Sequence, residues 1–307
     1  MRATLIHNGL AGGAKHVTPE VILEALHGLG FDAEYHVTHS EKDLATALEH
    51  PGDLVVVAGG DGTVRAVACT ILNRPDKAPA LALIPLGTSN NIARSMGLTG
   101  YSPLDIARSL STPRRIPFDV GLARGPWGER LFLESFGIGM LADLLDRYDP
   151  DAPKSVLRGV AAITGATLLR HAVPCQIEGL SETPLNADCL ILEVVNTPTI
   201  SNGVRLAPEA SPSSGVLQLV IVEGIGAGSV AADLVALAAG QLERRKNVIS
   251  QPVTHLRIVW DGTPVHLDAE IWPSEDTAPR FGESAVEIEV RPGALEIWVP
   301  TSDSAVK

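Results

Sequence analysis

The chain has 307 residues, more than one common domain holds, with 45% apolar and 20% charged residues, which excludes a disordered chain and makes two domains the first expectation. Its 24 Lys and Arg stand against 36 Asp and Glu, a formal charge of −12, so general nucleic-acid binding is disfavoured and docking on anionic lipid would need a local basic patch. Three scattered cysteines without a CxxC pair argue against a disulfide framework or zinc site. With no signal-peptide pattern in residues 1–10 and no apolar run near the roughly 20 residues of a bilayer span, the expected location is cytoplasmic.

The first 110 residues alternate strand and helix. Residues 3–7 read as a strand, and a helix opens at Thr18-Pro19, with Thr as the cap and Pro at the first helical position. A strand over 31–38 and a helix over 41–49 follow. Leu54-Val55-Val56-Val57-Ala58 is a continuous apolar run, the pattern of a strand buried on both faces. A helix over 63–72, a buried strand over 81–85 and a short helix over 92–96 complete the series. This rhythm predicts a parallel sheet covered by helices.

Beyond residue 115 the rhythm becomes strand-rich. Residues 116–123 and 130–136 flank a Gly125-Pro126-Trp127-Gly128 turn, and further strands are expected over 189–195, 216–222, 253–260, 286–290 and 295–299. Alternation of Val286, Ile288 and Val290 with Glu287 and Glu289 marks a half-exposed antiparallel strand. Helices are expected over 154–171 and 229–245. The domains are therefore placed at 1–124, an α/β domain with a parallel sheet, and 125–307, a mostly β domain.

Two glycine turns carry the chemistry. Gly59-Gly60-Asp61-Gly62-Thr63 follows one buried strand, and Pro85-Leu86-Gly87-Thr88-Ser89-Asn90-Asn91 follows the next, with Arg94 one turn into its helix. Adjacent strand ends of an open α/β sheet are where ligands bind. Glycine lets the backbone approach a ligand closely, and a helix start offers N–H groups to an anion.

These paired motifs, GGDGTV and PLGTSNNIARSMGL, resemble those of diacylglycerol kinase-type lipid kinases, a group that includes sphingosine and ceramide kinases. Four further stretches match less closely: Asn8-Gly9-Leu10-Ala11-Gly12, Phe118-Asp119-Val120-Gly121, residues 205–219 and Asp268-Ala269-Glu270. The resemblance implies an NAD kinase/diacylglycerol kinase-like α/β domain followed by a β-sandwich domain. It also implies an ATP- and Mg²⁺-dependent transfer to a lipid hydroxyl, diacylglycerol first, in transient peripheral contact with a membrane. In that scheme Asn8, Gly59, Gly60, Gly62, Thr63, Gly87, Thr88, Asn90, Asn91 and Arg94 bind the nucleotide. Asp61 and Asp119 serve the metal, with Asp61 also organising the phosphates. Asp268 accepts the hydroxyl proton and Glu270 supports it, and strand alternation would set these two acids on one face. Ala66, Asn91 and Ser214 stand where the family pattern has acids, and Ala269 where it has Gly.

Two other readings remain open. GGDG before a β-rich domain also resembles NAD kinases, and the missing acids suit a non-catalytic nucleotide- or lipid-binding relative. Gly137-Ile138-Gly139-Met140-Leu141-Ala142 fits a dinucleotide pattern but lacks a βαβ setting, so glycine packing is expected there. Arg244-Arg245-Lys246 reads as a basic helix end rather than a lipid head-group site.

Overall fold

The structure, a computed structural model, describes residues 1–36, 38, 41–146, 172–200, 204–224, 226–268, 270–272 and 283–301. The helix expected over 154–171 lies outside the described residues. The chain forms two compact units: residues 1–118 with 292–307, and residues 119–291.

In the first unit β1 (Arg2–His7), β2 (Asp32–His36), β3 (Leu54–Gly59) and β4 (Ala80–Pro85) form a parallel sheet in the order β4-β3-β1-β2. All six residues of β3 are buried, which explains its unbroken apolar run: a parallel strand with helices on either side has no wet face. The helices α1 (Pro19–Gly28), α2 (Glu41–Ala47), α3 (Asp61–Leu72) and α4 (Asn91–Ser95) follow the expected alternation. A further helix, α5 (Pro103–Ser109), was not expected, although Ser102-Pro103-Leu104-Asp105 carries its signal. Ser102 Oγ accepts the Asp105 N–H at 3.1 Å while Asp105 accepts the Ser102 N–H at 3.3 Å, a reciprocal N-terminal cap.

The second unit is mostly antiparallel. The hairpin of β5 (Arg114–Gly125) and β6 (Gly128–Phe132) turns through Pro126 and Trp127. The expected strand over 130–136 is broken: β6 ends at Phe132 and β7 (Ser135–Gly139) starts afresh, followed by α6 (Met140–Asp146). The cause is that the amides of Leu133, Glu134 and Ser135 donate to the carboxylate of Asp268. Next come β8 (Val173–Glu178), β9 (Leu185–Val195), β10 (Thr199–Ile200), β11 (Val204–Arg205) and β12 (Leu217–Glu223). Along β12, Leu219 and Ile221 join a core with Phe132, Phe136, Leu192 and Trp260, while Val220 and Val222 join one with Val230 and Leu237. Val230 and Leu237 belong to α7 (Ala227–Ala238), which covers that second face. Period-2 alternation between two apolar cores thus makes residues 219–222 of this antiparallel strand an unbroken apolar run.

Helix α7 stops well before residue 245, at Gly240 with φ +62°. The basic run beyond it is structural at its centre: Arg245 Nε donates to the buried Asp233 Oδ1 at 2.7 Å. Then follow β13 (Val248–Val253), β14 (His255–Trp260), β15 (Val265–Leu267), β16 (Glu270–Trp272) and β17 (Ser284–Val299). Strand β17 replaces two expected strands. Its Ser284–Glu289 segment pairs antiparallel with β14, and its Ile297 and Trp298 pair parallel with Leu81 and Ala82 of β4. The C-terminal segment therefore returns to the first unit, and the division falls at Phe118 and again before Pro292 rather than once at 124.

Candidate active site

Because β1, β3 and β4 are parallel neighbours, their carboxyl ends share one edge, and the loops leaving them meet there. Gly13 N–H donates to Leu86 O at 2.8 Å, Leu86 N–H to Gly59 O at 2.9 Å, and Asn8 Nδ2 to Thr63 Oγ1 at 3.0 Å. Asn8, Thr63 and the two glycine turns are thus brought together as expected from their positions at strand ends.

The glycines divide into two kinds. A Cβ on Gly87 would stand 2.6 Å from Gly60 Cα, one on Gly60 3.2 Å from Gly87 Cα, and one on Gly59 2.6 Å from Thr63 Oγ1. Gly60 and Gly87 are small because the two turns pack against each other, and Gly59 because Thr63 of its own turn lies over it. Gly62, Gly9 and Gly12 meet nothing within 4 Å, so their bare backbone faces open space. The first turn of α3 also leaves the N–H groups of Asp61 and Gly62 without intrahelical acceptors. The open backbone is therefore at Gly62 and along the loop from Asn8, whose Gly9 and Gly12 belong to the matched stretch but were not named as binding residues. Gly62→Ala should leave melting temperature unchanged or slightly higher yet weaken triphosphate binding at least about tenfold, equivalent to about 1.4 kcal/mol. Gly87→Ala should instead cost about 1–3 kcal/mol of stability through overpacking. Thermal melts and nucleotide titrations of both variants check the contrast.

Asp61 ties the two turns together. Its Oδ2 accepts the Asn91 N–H and its Oδ1 the Ile92 N–H, both at 3.0 Å, so it caps α4 from 30 residues away in sequence. Burial pushes the Asp61 carboxyl above its ordinary range, against the backbone amides of Ile92, Asn91, Asp61 and Asn90, which lower it. Asn90 takes the left-handed conformation (φ +47°) and clasps Gly87, accepting its N–H at 2.9 Å and donating to its carbonyl at 2.8 Å. Asn91 is buried. Both asparagines shape the turn. Thr88 is exposed beside them, and the exposed Arg94 donates to Ser89 O at 3.1 Å.

The second unit holds the other acids. Asp268 Oδ1 accepts three consecutive amides, from Leu133 (3.1 Å), Glu134 (2.7 Å) and Ser135 (3.1 Å), while Oδ2 shares the Leu133 amide at 3.1 Å. Successive N–H groups of this kind form an anion-binding concavity, here filled by a side chain. Asp268 has φ +54°, and the chain reverses between Leu267 and Glu270, which pair across the β15–β16 hairpin. The expectation that Asp268 and Glu270 share one strand face is therefore corrected: a reversal separates them, and Glu270 is exposed at the start of β16.

Asp119 is buried and closes a loop. Its Oδ2 accepts the Gly215 N–H at 2.6 Å and its own N–H donates to Pro212 O at 2.6 Å. Ser214 Oγ faces the carbonyls of Ser211 (2.8 Å) and Val216 (3.1 Å). Asp119 is thus tied into the 212–215 loop, and among the described residues no group of three or more acidic, His or Cys side chains gathers around it. Asp61 lies at the start of α3 beside the open backbone of Gly62, where a carboxylate can meet an ion shared with phosphate oxygens directly or through water.

The dinucleotide-like glycines are packing residues. Gly137 lies opposite Glu193 on one side and His266 on the other, and a Cβ there would fall 2.0 Å from Glu193 Oε1 and 2.3 Å from His266 Nε2. Gly137→Ala should lower stability by about 3 kcal/mol or more, because it overpacks the core and splits a buried pair. A melting temperature equal to wild type would contradict this packing role.

Comparison with known proteins agrees with this layout. A family model described as the diacylglycerol kinase catalytic domain matches residues 2–123, and one described as the YegS C-terminal NAD kinase beta sandwich-like domain matches residues 157–299. The chain is 28% identical over 232 residues to a diacylglycerol kinase of Bacillus subtilis, covering 72% of this chain and 74% of that one. It is 27% identical over 308 residues to a protein of Cronobacter sakazakii named "Probable lipid kinase YegS-like", covering 96% and 95% of the two chains. Among solved structures, a diacylglycerol kinase from Bacillus anthracis superposes with a TM-score of 0.74 at 20% identity, over 98% of both chains. A yeast NADH kinase complexed with NADH superposes with a TM-score of 0.54 at 11% identity, over 99% of this chain and 84% of that one, which shows a shared fold. With an α/β unit bearing two interlocked glycine turns and a largely antiparallel second unit, the chain is similar across both to the diacylglycerol kinase-like lipid kinases.

Proposed function

We propose that the protein transfers the γ-phosphate of ATP to a lipid hydroxyl, with diacylglycerol as the acceptor. The observation that carries this reading is the open backbone at Gly62, Gly9 and Gly12, beside Asp61 at the start of α3. Phosphoryl transfer asks a protein mainly for positioning and charge stabilisation, which backbone amides at strand ends can give. The amides around Gly62 cradle the phosphates, Asn8 and Thr63 hold the two loops in register, and Thr88 and Arg94 border the phosphate path.

Asp61 would hold Mg²⁺ together with phosphate oxygens. When bound, such an ion would supply charge neutralisation at the phosphates. Asp268, its Oδ1 fixed by three amides, orients the attacking hydroxyl and takes its proton on Oδ2, and Glu270 supports that acid. The lipid is met by transient contact with a membrane surface. No helix among the described residues is long and apolar enough to cross a bilayer.

The test is transfer of label from γ-labelled ATP to a panel of acceptors, diacylglycerol and sphingosine in mixed vesicles and NAD in solution. Labelled phosphatidic acid supports the reading. Labelled NADP in its place would move the protein to the NAD-kinase group.

A further inference from the structure

Strands β9, β7 and β15 lie side by side, and in their register Glu193, Gly137 and His266 form one row. Side chains from strands two apart start roughly 9–10 Å from each other, two strand spacings, and ordinarily a residue between them keeps them separated. Here that residue is glycine, and His266 Nε2 meets Glu193 Oε1 at 2.7 Å directly above it. Both side chains are buried, at 3% and 0% exposure.

The other ring nitrogen has a different task. His266 Nδ1 lies 3.0 Å from the backbone carbonyl of Asp268. A carbonyl can only accept, so Nδ1 carries a proton and donates it there. Asp268 is one of the two non-glycine residues with positive φ among the described ones, a conformation that persists where surroundings over-determine it. Two sets of bonds do so: the amides of Leu133, Glu134 and Ser135 hold the carboxylate, and His266 holds the carbonyl. Glu193 stops the imidazole from rotating, as a carboxylate fixes the ring when it faces the far nitrogen.

We infer that the His266–Glu193 pair is a positioning element that sets the orientation of the Asp268 carboxylate for phosphoryl transfer. The inference rests on the role proposed above for Asp268. His266 acts through the backbone of Asp268 and touches no reacting atom, so its loss should slow the chemical step without weakening nucleotide binding.

Two substitutions separate the ring's two contacts. His266→Asn keeps an N–H near the place of Nδ1 and gives up Glu193. His266→Gln reaches toward Glu193 and leaves the Asp268 carbonyl without its donor. Kinase turnover and amide hydrogen exchange at Leu133, Glu134 and Ser135 are measured on both variants and on wild type. His266→Gln should lower kcat roughly 10- to 100-fold, the scale of a small misplacement, with KM for ATP within about twofold and faster exchange at the three amides. His266→Asn should recover most of both losses. Equal kcat in the two variants, or wild-type exchange in folded His266→Gln, would overturn the inference. Should His266→Gln not fold, Glu193→Ala reads the same anchor: faster exchange at the three amides supports it and unchanged exchange rejects it. Wild-type protein that phosphorylates no acceptor would defeat the proposed function, while the exchange measurements still decide whether His266 fixes Asp268.

Discussion

Asp61→Asn is expected to lower kcat for lipid phosphorylation by about 10²- to 10³-fold, the scale on which phosphoryl-transfer and similar sites lose one electrostatic element. Asparagine is nearly isosteric but carries no charge for a magnesium ion shared with the phosphates. The same change touches the fold. Asp61 receives the amides of Asn91 and Ile92, and an Asn oxygen can keep one while its NH₂ group faces the other. Relief from burying a charge offsets part of that loss, so the net change in stability should be within about 1–2 kcal/mol. Kinetics and thermal melting on one preparation separate the two effects. Full activity in a folded Asp61→Asn protein would remove the residue from the mechanism.

Asp268→Asn should reduce kcat by at least roughly 10²-fold, the low end for loss of a general base. The substitution is conservative, although the new NH₂ would face the Leu133 amide that Oδ2 now shares. An Asn Oδ1 can accept the amides of Leu133, Glu134 and Ser135 as the Asp Oδ1 does, so the side chain stays in its nest. What changes is the second atom, from an oxygen that can take a proton to an NH₂ that cannot. ATP affinity should hold, since the loss falls on the transition state. Lost ATP binding with an unchanged rate would reassign Asp268 to the nucleotide.

The parts of this molecule that were legible in its sequence are those written in local pattern. The apolar runs at Leu54–Gly59 and Ala80–Pro85, each followed by a glycine turn and a helix, read directly as neighbouring parallel strands. The half-exposed face of Val286–Val290 read as antiparallel by its alternation, and it pairs that way with β14. What local pattern does not carry is contact at long separation. Asp61 caps a helix 30 residues away, and Asp268 breaks a strand 133 to 135 residues before it. The glycines misled for a related reason: a residue without a side chain looks the same whether its space is open, as at Gly62, or filled by another loop, as at Gly87. Strand β17 passes through Arg291-Pro292-Gly293, where residue types promise a break, yet the chain continues with Gly293 at φ +58° and pairs in each unit in turn.

The central claim is that the strand-end loops of the first unit present a nucleotide's phosphate to a lipid. The most direct measurement incubates the protein with γ-labelled ATP, Mg²⁺ and phosphatidylcholine vesicles carrying diacylglycerol, and follows label into the organic phase. Label should appear there as phosphatidic acid with wild-type protein, and should fall to background with Asp61→Asn or without Mg²⁺. Label that stays in the aqueous phase with folded, ATP-binding wild-type protein would contradict the account.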